Sequence, residues 1–190
     1  AASQTRDKIW IERNIPEGAY CFVFDATSGL SMLTLMGPNA RSLLSEVACE
    51  DLSDNAFPFG TSREIEIGHA TVRATRLTYV GELGWELFVP TEMVQYVYDR
   101  LHKAGQAYGL DDGGFFAVNA MRIEKGYRHW GHDIGIEDTP IEAGLKFAVA
   151  MDKGDFIGRA ALARQLEGKA LTKRLVQFRL LEDDGVLLHH

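Results

Sequence analysis

Between Thr78 and Phe88 the chain reads Thr-Tyr-Val-Gly-Glu-Leu-Gly-Trp-Glu-Leu-Phe, and no other segment limits the possible folds as strongly. From Trp85 to Val89 the order of bulky residues is that of a strand ended by Pro90. Alternation sends Trp85 and Leu87 to one face and Glu86 and Phe88 to the other. A core strand rarely carries a carboxylate at its centre, because an unpaired buried carboxylate costs several kcal/mol. Glu86 therefore calls for a partner, either a basic side chain or a flat ligand with two parallel N–H donors. Two other readings stand beside this one: an edge-strand glutamate in solvent, or a structural ion pair.

The rest of the pattern alternates helices and strands. Ser3 to Asn14 reads as a short helix stopping before Pro16, and Ala19–Phe24 and Ser31–Met36 as strands. Pro38 suits the first turn of a helix running to Ala48, and residues 51–59 are loop-like. Arg63–Ile67 and Thr71–Val80 form a hairpin around Gly68-His69. Thr91 opens an amphipathic helix with Val94, Val97, Tyr98, Leu101 and Ala104 on one face and Gly109 just past its end. Phe115–Lys125 and Ile157–Leu166 are further helices, and Arg174–Leu180 a last strand. Hairpins mixed with helices predict an α+β fold, a largely antiparallel sheet with flanking helices, and not a doubly wound parallel one.

Composition excludes several function classes. The 190 residues, 46% apolar and 25% charged, are enough for a buried core. A net charge of −7 with scattered basic residues gives no support for nucleic-acid or anionic-membrane binding. No apolar run approaches the roughly 20 residues of a membrane span. Cys21 and Cys49 lack metal or redox spacing and read as buried, reduced thiols of an intracellular protein. The chain opens Ala1-Ala2-Ser3 and stops at Val186-Leu187-Leu188-His189-His190, which reads as a piece of a longer protein. On this reading residues 1–181 form one domain, and residues 182–190 begin a further β-barrel or are a tag remnant.

Two more constellations carry chemistry. Phe115 to Gly126 places Arg122 on an otherwise apolar helical face with Val118 and Met121. Its rigid fork suits a carboxylate, from Glu86 or from a ligand, although a snorkelling arginine is equally common. In Tyr127-Arg128-His129-Trp130-Gly131-His132-Asp133, the two histidines and Asp133 make a weak metal motif, and loop histidines are the better reading. Trp130 is either core or a stacking surface for a heteroaromatic ring. Gly81-Glu82-Leu83-Gly84 is no phosphate loop, because it holds a carboxylate and no Lys-Ser/Thr follows. No serine is framed as a nucleophile elbow.

Taken in order, Tyr79-Val80-Gly81-Glu82-Leu83-Gly84-Trp85-Glu86, Met121-Arg122-Ile123-Glu124-Lys125-Gly126, His132-Asp133-Ile134 and Thr139-Pro140-Ile141-Glu142-Ala143-Gly144-Leu145 resemble the aminomethyltransferase family. That family comprises the T-protein of the glycine cleavage system and its relatives. Phe57-Pro58-Phe59-Gly60, Tyr127 to Gly131, and Asp155-Phe156-Ile157-Gly158-Arg159 are similar to one branch of it. That branch is the folate-binding C-terminal half of dimethylglycine and sarcosine dehydrogenases and the related pyruvate dehydrogenase phosphatase regulatory subunit.

The resemblance implies a tetrahydrofolate site. Glu86 would hold the amino-pyrimidine edge of the pterin, Tyr79, Leu87, Phe88 and Trp130 would line the cavity, and Arg122 would supply the basic partner. The parent enzyme would oxidise an N-methyl group at an FAD in a separate N-terminal domain and pass the one-carbon unit to tetrahydrofolate. Folate and that flavin domain are the expected partners, with no metal, nucleic acid or membrane. The expected location is the bacterial cytoplasm or the mitochondrial matrix. The family's catalytic Asp falls upstream of Ala1, so no catalytic residue is expected within this chain and the piece alone is expected to be inactive. A glycine-cleavage-type aminomethyltransferase and a non-catalytic regulatory module of the same fold are the alternatives.

Overall fold

A computed structural model describes residues 3–168 and 171–181. The chain divides into two compact units, Ala1–Phe115 and Phe116–His190.

The first unit is built on a four-stranded sheet. Its strands are β1 (Leu30–Met36), β2 (Ser62–Ile67), β3 (Ala70–Thr75) and β4 (Gly84–Pro90), in the order β1-β4-β3-β2 with every pair antiparallel. Together with the helices this is the α+β architecture that the sequence predicts. β4 is central, and its alternation holds: Trp85, Leu87 and Val89 are fully buried while Glu86 and Phe88 are half-buried on the opposite face. The buried set merges with Ile65, Ile67, Val72 and Ala74 from β2 and β3. Leu43, Leu44 and Val47 of α2 (Ala40–Val47) and Val97 and Leu101 of α3 (Val94–Gly105) close the same core. Both helices are amphipathic, and core burial of their apolar stripes stabilises them more than intrinsic propensity does. The remaining helix, α1 (Gln4–Arg13), buries no side chain completely.

Gly84 opens β4 because nothing larger fits. A Cβ there would stand 2.6 Å from Cγ of Met36 and 2.9 Å from the Leu35 carbonyl oxygen, where β1 passes closest.

The predicted strand from Thr71 stops at Thr75 instead of reaching Val80. Arg76 leaves the ladder: its N–H donates to the Thr61 carbonyl and its own carbonyl accepts from Gly60. The chain then turns through residues 76–83, with Gly81 at φ 74° in the left-handed region. Residues 19–24 are not a strand either. Their amide bonds are local, with Ala19 N donating to Pro16 and Cys21 N to Ala19, and Tyr20, Phe22 and Phe24 are exposed. Alternation makes such a segment able to pair, but a ladder also needs a neighbouring strand. Cys21 and Cys49 are both exposed, correcting their expected burial. Cys21 lies in this unladdered segment and Cys49 just past α2.

In the second unit, α4 (Phe115–Glu124, opening at the boundary) and α5 (Arg159–Glu167) are joined by turns. Thr139 and Glu142 bond reciprocally, Thr139 N to Glu142 Oε2 at 2.9 Å and Glu142 N to Thr139 Oγ1 at 3.2 Å, as in a capping box. Residues 174–180, predicted as a strand, belong to no ladder among the described residues. Leu175 N donates to the Glu142 carbonyl, and Lys173 pairs with Asp138 at 2.5 Å. The expected further domain at 182–190 lies outside the described residues.

Leu87 is wholly enclosed in the first unit's core, so Leu87→Ala should cost about 2–5 kcal/mol of stability. Urea denaturation of the two proteins measures this as a lower midpoint with an unchanged slope.

Candidate functional site

The sheet sets the surroundings of Glu86 through register. Across β1 it faces Thr34, and across β3 it faces Thr75, whose hydroxyl donates to Ser62 Oγ at 2.9 Å. Phe88, one step along the same face, is paired with Met32 and Arg73. Arg73 is already engaged with Glu64 at 2.9 Å. The Glu86 carboxylate makes no hydrogen bond or ion pair with the described residues of its own unit. A half-buried carboxylate between two threonines and an aromatic ring is therefore an acceptor with both oxygens available.

Tyr79 is half-buried in the loop before β4. That loop is tied down by Thr78, whose hydroxyl donates to Met36 Sδ at 3.8 Å and accepts from Val80 N at 3.3 Å. The side chain of Leu87 is a correction to the predicted cavity lining. It points into the core, on the side of the sheet away from Glu86, because neighbours along a strand face opposite ways. Glu82 is an exposed turn residue.

The second unit positions Arg122. Its side chain, 1% exposed, is held by three groups. Nε donates to Asn119 Oδ1 at 2.8 Å, one helical turn back, and Nη1 donates to the Tyr127 carbonyl at 3.2 Å and to Asp133 Oδ2. The carboxylate that meets Arg122 is thus Asp133, which the sequence reading placed only beside the histidines. A one-turn Arg–Asn contact can be found from helical spacing, whereas nothing local in the sequence marks Asp133 across the intervening loop. Nη2 of Arg122 is buried and has no acceptor among the described residues of its unit. It borders a cavity of about 420 Å³ that Lys125, Arg128 and Phe178 also line. Arg128 is a clamp on the backbone, donating to the carbonyls of Ala143 at 3.0 Å and Gly126 at 2.6 Å.

Trp130 is 47% exposed and forms a bridge with Ile134. The rings of His129 and His132 meet edge to face at 5.7 Å. Among the described residues no group of three or more His, Cys, Asp or Glu side chains is placed to hold a metal ion. The predicted residues fall into two sets, Tyr79, Glu86 and Phe88 in the first unit and Arg122 and Trp130 in the second.

Burial pushes the Asp133 carboxyl up, but the His129 amide and the Arg122 guanidinium outweigh it and hold the pKa below its ordinary 3.8. A depressed folded pKa contributes stability that is complete above the unfolded value and disappears as pH falls through the folded one. Acid should therefore loosen the second unit as the pH drops through and below 3.8. In Asp133→Asn that part of the acid dependence should vanish, and melting temperatures recorded from pH 7 to pH 2 for both proteins check it.

Residues 1–153 match the GCVT N-terminal domain. The chain is 39% identical to human mitochondrial dimethylglycine dehydrogenase over 186 residues, 97% of this chain and 21% of that protein. It is 40% identical over 188 residues to 4-methylaminobutanoate oxidase (formaldehyde-forming) of Paenarthrobacter nicotinovorans, 98% of this chain and 23% of that one. An aminomethyltransferase of Caldanaerobacter subterraneus is 34% identical over all 190 residues, which is 50% of its length. The chain thus spans between about a fifth and a half of these relatives. With four-fifths of its length in that match, and with the Gly-Trp-Glu strand and the buried arginine of α4 in place, the chain belongs to the aminomethyltransferase family, in its GCVT N-terminal domain.

Proposed function

We propose that this chain is the tetrahydrofolate-binding portion of a flavin-dependent enzyme similar to dimethylglycine and sarcosine dehydrogenases, with Glu86 as the pterin anchor. The observation that carries the reading is the state of the Glu86 carboxylate: half-buried at the centre of β4, beside Phe88, and unpaired within its unit. The ring N–H and exocyclic amino group of a pterin present two parallel donors, and a carboxylate accepts such a pair in plane. A ligand of this kind would remove the cost of leaving the charge half-desolvated and unmatched.

Two more residues of the first unit fit the same molecule. Phe88 offers a ring face on Glu86's side of the sheet, and Tyr79 a second aromatic surface from the adjoining loop. In the second unit by itself, the Nη2 amino group of Arg122 is buried without an acceptor among the described residues of that unit, and Trp130 leaves about half its surface accessible. Bound tetrahydrofolate supplies the nitrogen that takes up the one-carbon unit. The side chains of this chain bind and orient it, which is the larger part of what such a transfer needs.

The whole protein's activity is part of the same proposal. Relatives named as dehydrogenases and an oxidase extend far beyond the region matched here, which supports a separate FAD-bearing domain that generates the one-carbon unit. The mitochondrial names among them support a matrix location in a eukaryote, with the cytoplasm as the counterpart in a bacterium. No helix among the described residues is long and apolar enough to cross a membrane.

Glu86→Gln should weaken tetrahydrofolate binding to the full-length protein by about 1.5–3 kcal/mol, the scale of a hydrogen bond to a charged group. Isothermal titration of the two proteins measures the difference, and an unchanged Kd would place Glu86 outside the pocket.

A further inference from the structure

In the second unit one nitrogen of a buried charge has no partner among the described residues. Arg122 is 1% exposed, and its Nε and Nη1 are engaged by Asn119, the Tyr127 carbonyl and Asp133. Nη2 has no acceptor in that unit. The side chain borders the cavity of about 420 Å³, a volume in the range of small-molecule sites. A buried donor left unmet carries the full desolvation cost of its group. A water molecule there would meet the donor and leave the charge as it is, whereas an anion answers both.

The cavity lies between the end of α4 and residues 175–178, and two hydrogen bonds hold that segment in place. Gln177 Nε2 donates to the Ile123 carbonyl, and Leu175 N donates to the Glu142 carbonyl at 3.0 Å. Carbonyls at the C-terminal end of a helix repel an anion, but here they already accept N–H groups. That of Ile123 takes Gly126 N and Gln177, and that of Gly126 takes Arg128. The charged residues around the cavity are Arg122, Lys125 and Arg128 against Asp133, which leaves a surplus of positive charge. A phosphate asks for several donors at once, while Nη2 offers its N–H groups from one side. Ile123, Leu175, Val176 and Phe178 present apolar surface around it. One carboxylate oxygen at Nη2, with an apolar body behind it, matches both the donor and the walls.

We propose that the second unit binds a small organic carboxylate in this cavity, its head on Arg122 Nη2 and its apolar body against Ile123, Val176 and Phe178. Asp133 and Asn119 position the guanidinium so that Nη2 is the nitrogen left for the ligand. The site is built from residues of the second unit and is independent of the pterin assignment of Glu86.

Isothermal titration of the full-length protein with hexanoate, its uncharged counterpart hexanamide, and inorganic phosphate tests this. Hexanoate should bind saturably, hexanamide about tenfold more weakly or worse for want of the charge, and phosphate not saturably. Arg122→Lys keeps a cation but removes Nη2, and should weaken hexanoate by about tenfold. Because Arg122 also ties its unit together, Val176→Trp is the second variant. Val176 is 57% exposed, so a larger ring there fills the cavity and leaves the bonds of Arg122 in place, which an unchanged melting temperature confirms. It should abolish hexanoate binding, and Glu86→Gln should leave that binding unchanged. Hexanoate binding that survives Val176→Trp, equal affinity for hexanamide, saturable binding of phosphate, or no binding of hexanoate overturns the site. Loss of hexanoate binding in the presence of tetrahydrofolate, but not of tetrahydropteroate, which lacks the glutamate, overturns it as well, because the folate's own carboxylates would then be the occupant.

Discussion

The first unit depends on one strand having two incompatible faces. β4 is bonded on both sides, to β1 and to β3, so its backbone is satisfied and its side chains can only go up or down. Downward it delivers Trp85, Leu87 and Val89 to a core closed by α2 and α3. Upward it delivers Glu86 and Phe88. The face on which Glu86 stands is fixed by the core, because a one-residue slip of register would bury the carboxylate and expose the indole. On the proposed reading, Glu86 would meet its ligand already held in place by the strand, which lowers the cost of association.

The second unit solves a different problem. Among its described residues only Arg122 and Ala143 are buried, while Phe116, Ile136 and Phe147 are largely accessible. An arginine at the centre of so thin a core acts as a tie between segments: Asn119 on its own helix, the Tyr127 carbonyl and the Asp133 carboxylate. Each bond satisfies a donor that would otherwise be expensive to bury. Arg128 does the same for the carbonyls of Gly126 and Ala143. These polar ties hold the loop from residue 126 to 145 to α4, where a larger core would use apolar contacts.

Much of this could be read from local pattern. The helices α2, α3 and α4, the β2–β3 hairpin and the two faces of β4 follow from periodicities of 3.6 and 2.0, which depend only on neighbours in the chain. The segments 19–24 and 174–180 alternate just as well, yet neither is laddered among the described residues, because alternation gives the capacity to pair and a second strand gives the pairing. Leu87 shows the same limit at the level of one residue. Taking the strand as a cavity wall included it, and only the alternation of faces separates it from Phe88. Asp133 was adjacent to a tempting pair of histidines, but its partner is an arginine on the helix before them.

By itself the sequence determined the family, through motifs spread from Phe57 to Arg159 in a fixed order, and it determined which residues of β4 share a face. Both are properties of the chain as a string, carried by identity and spacing. Only the tertiary structure decided that β4 is central, that Thr34 and Thr75 flank Glu86, and that Met32 pairs with Phe88 next to it. Strand order and register come from hydrogen bonds between segments tens of residues apart, set by how the apolar faces of β4, α2 and α3 bury one another. The carboxylate was visible from the start, and its surroundings exist only once those faces have closed.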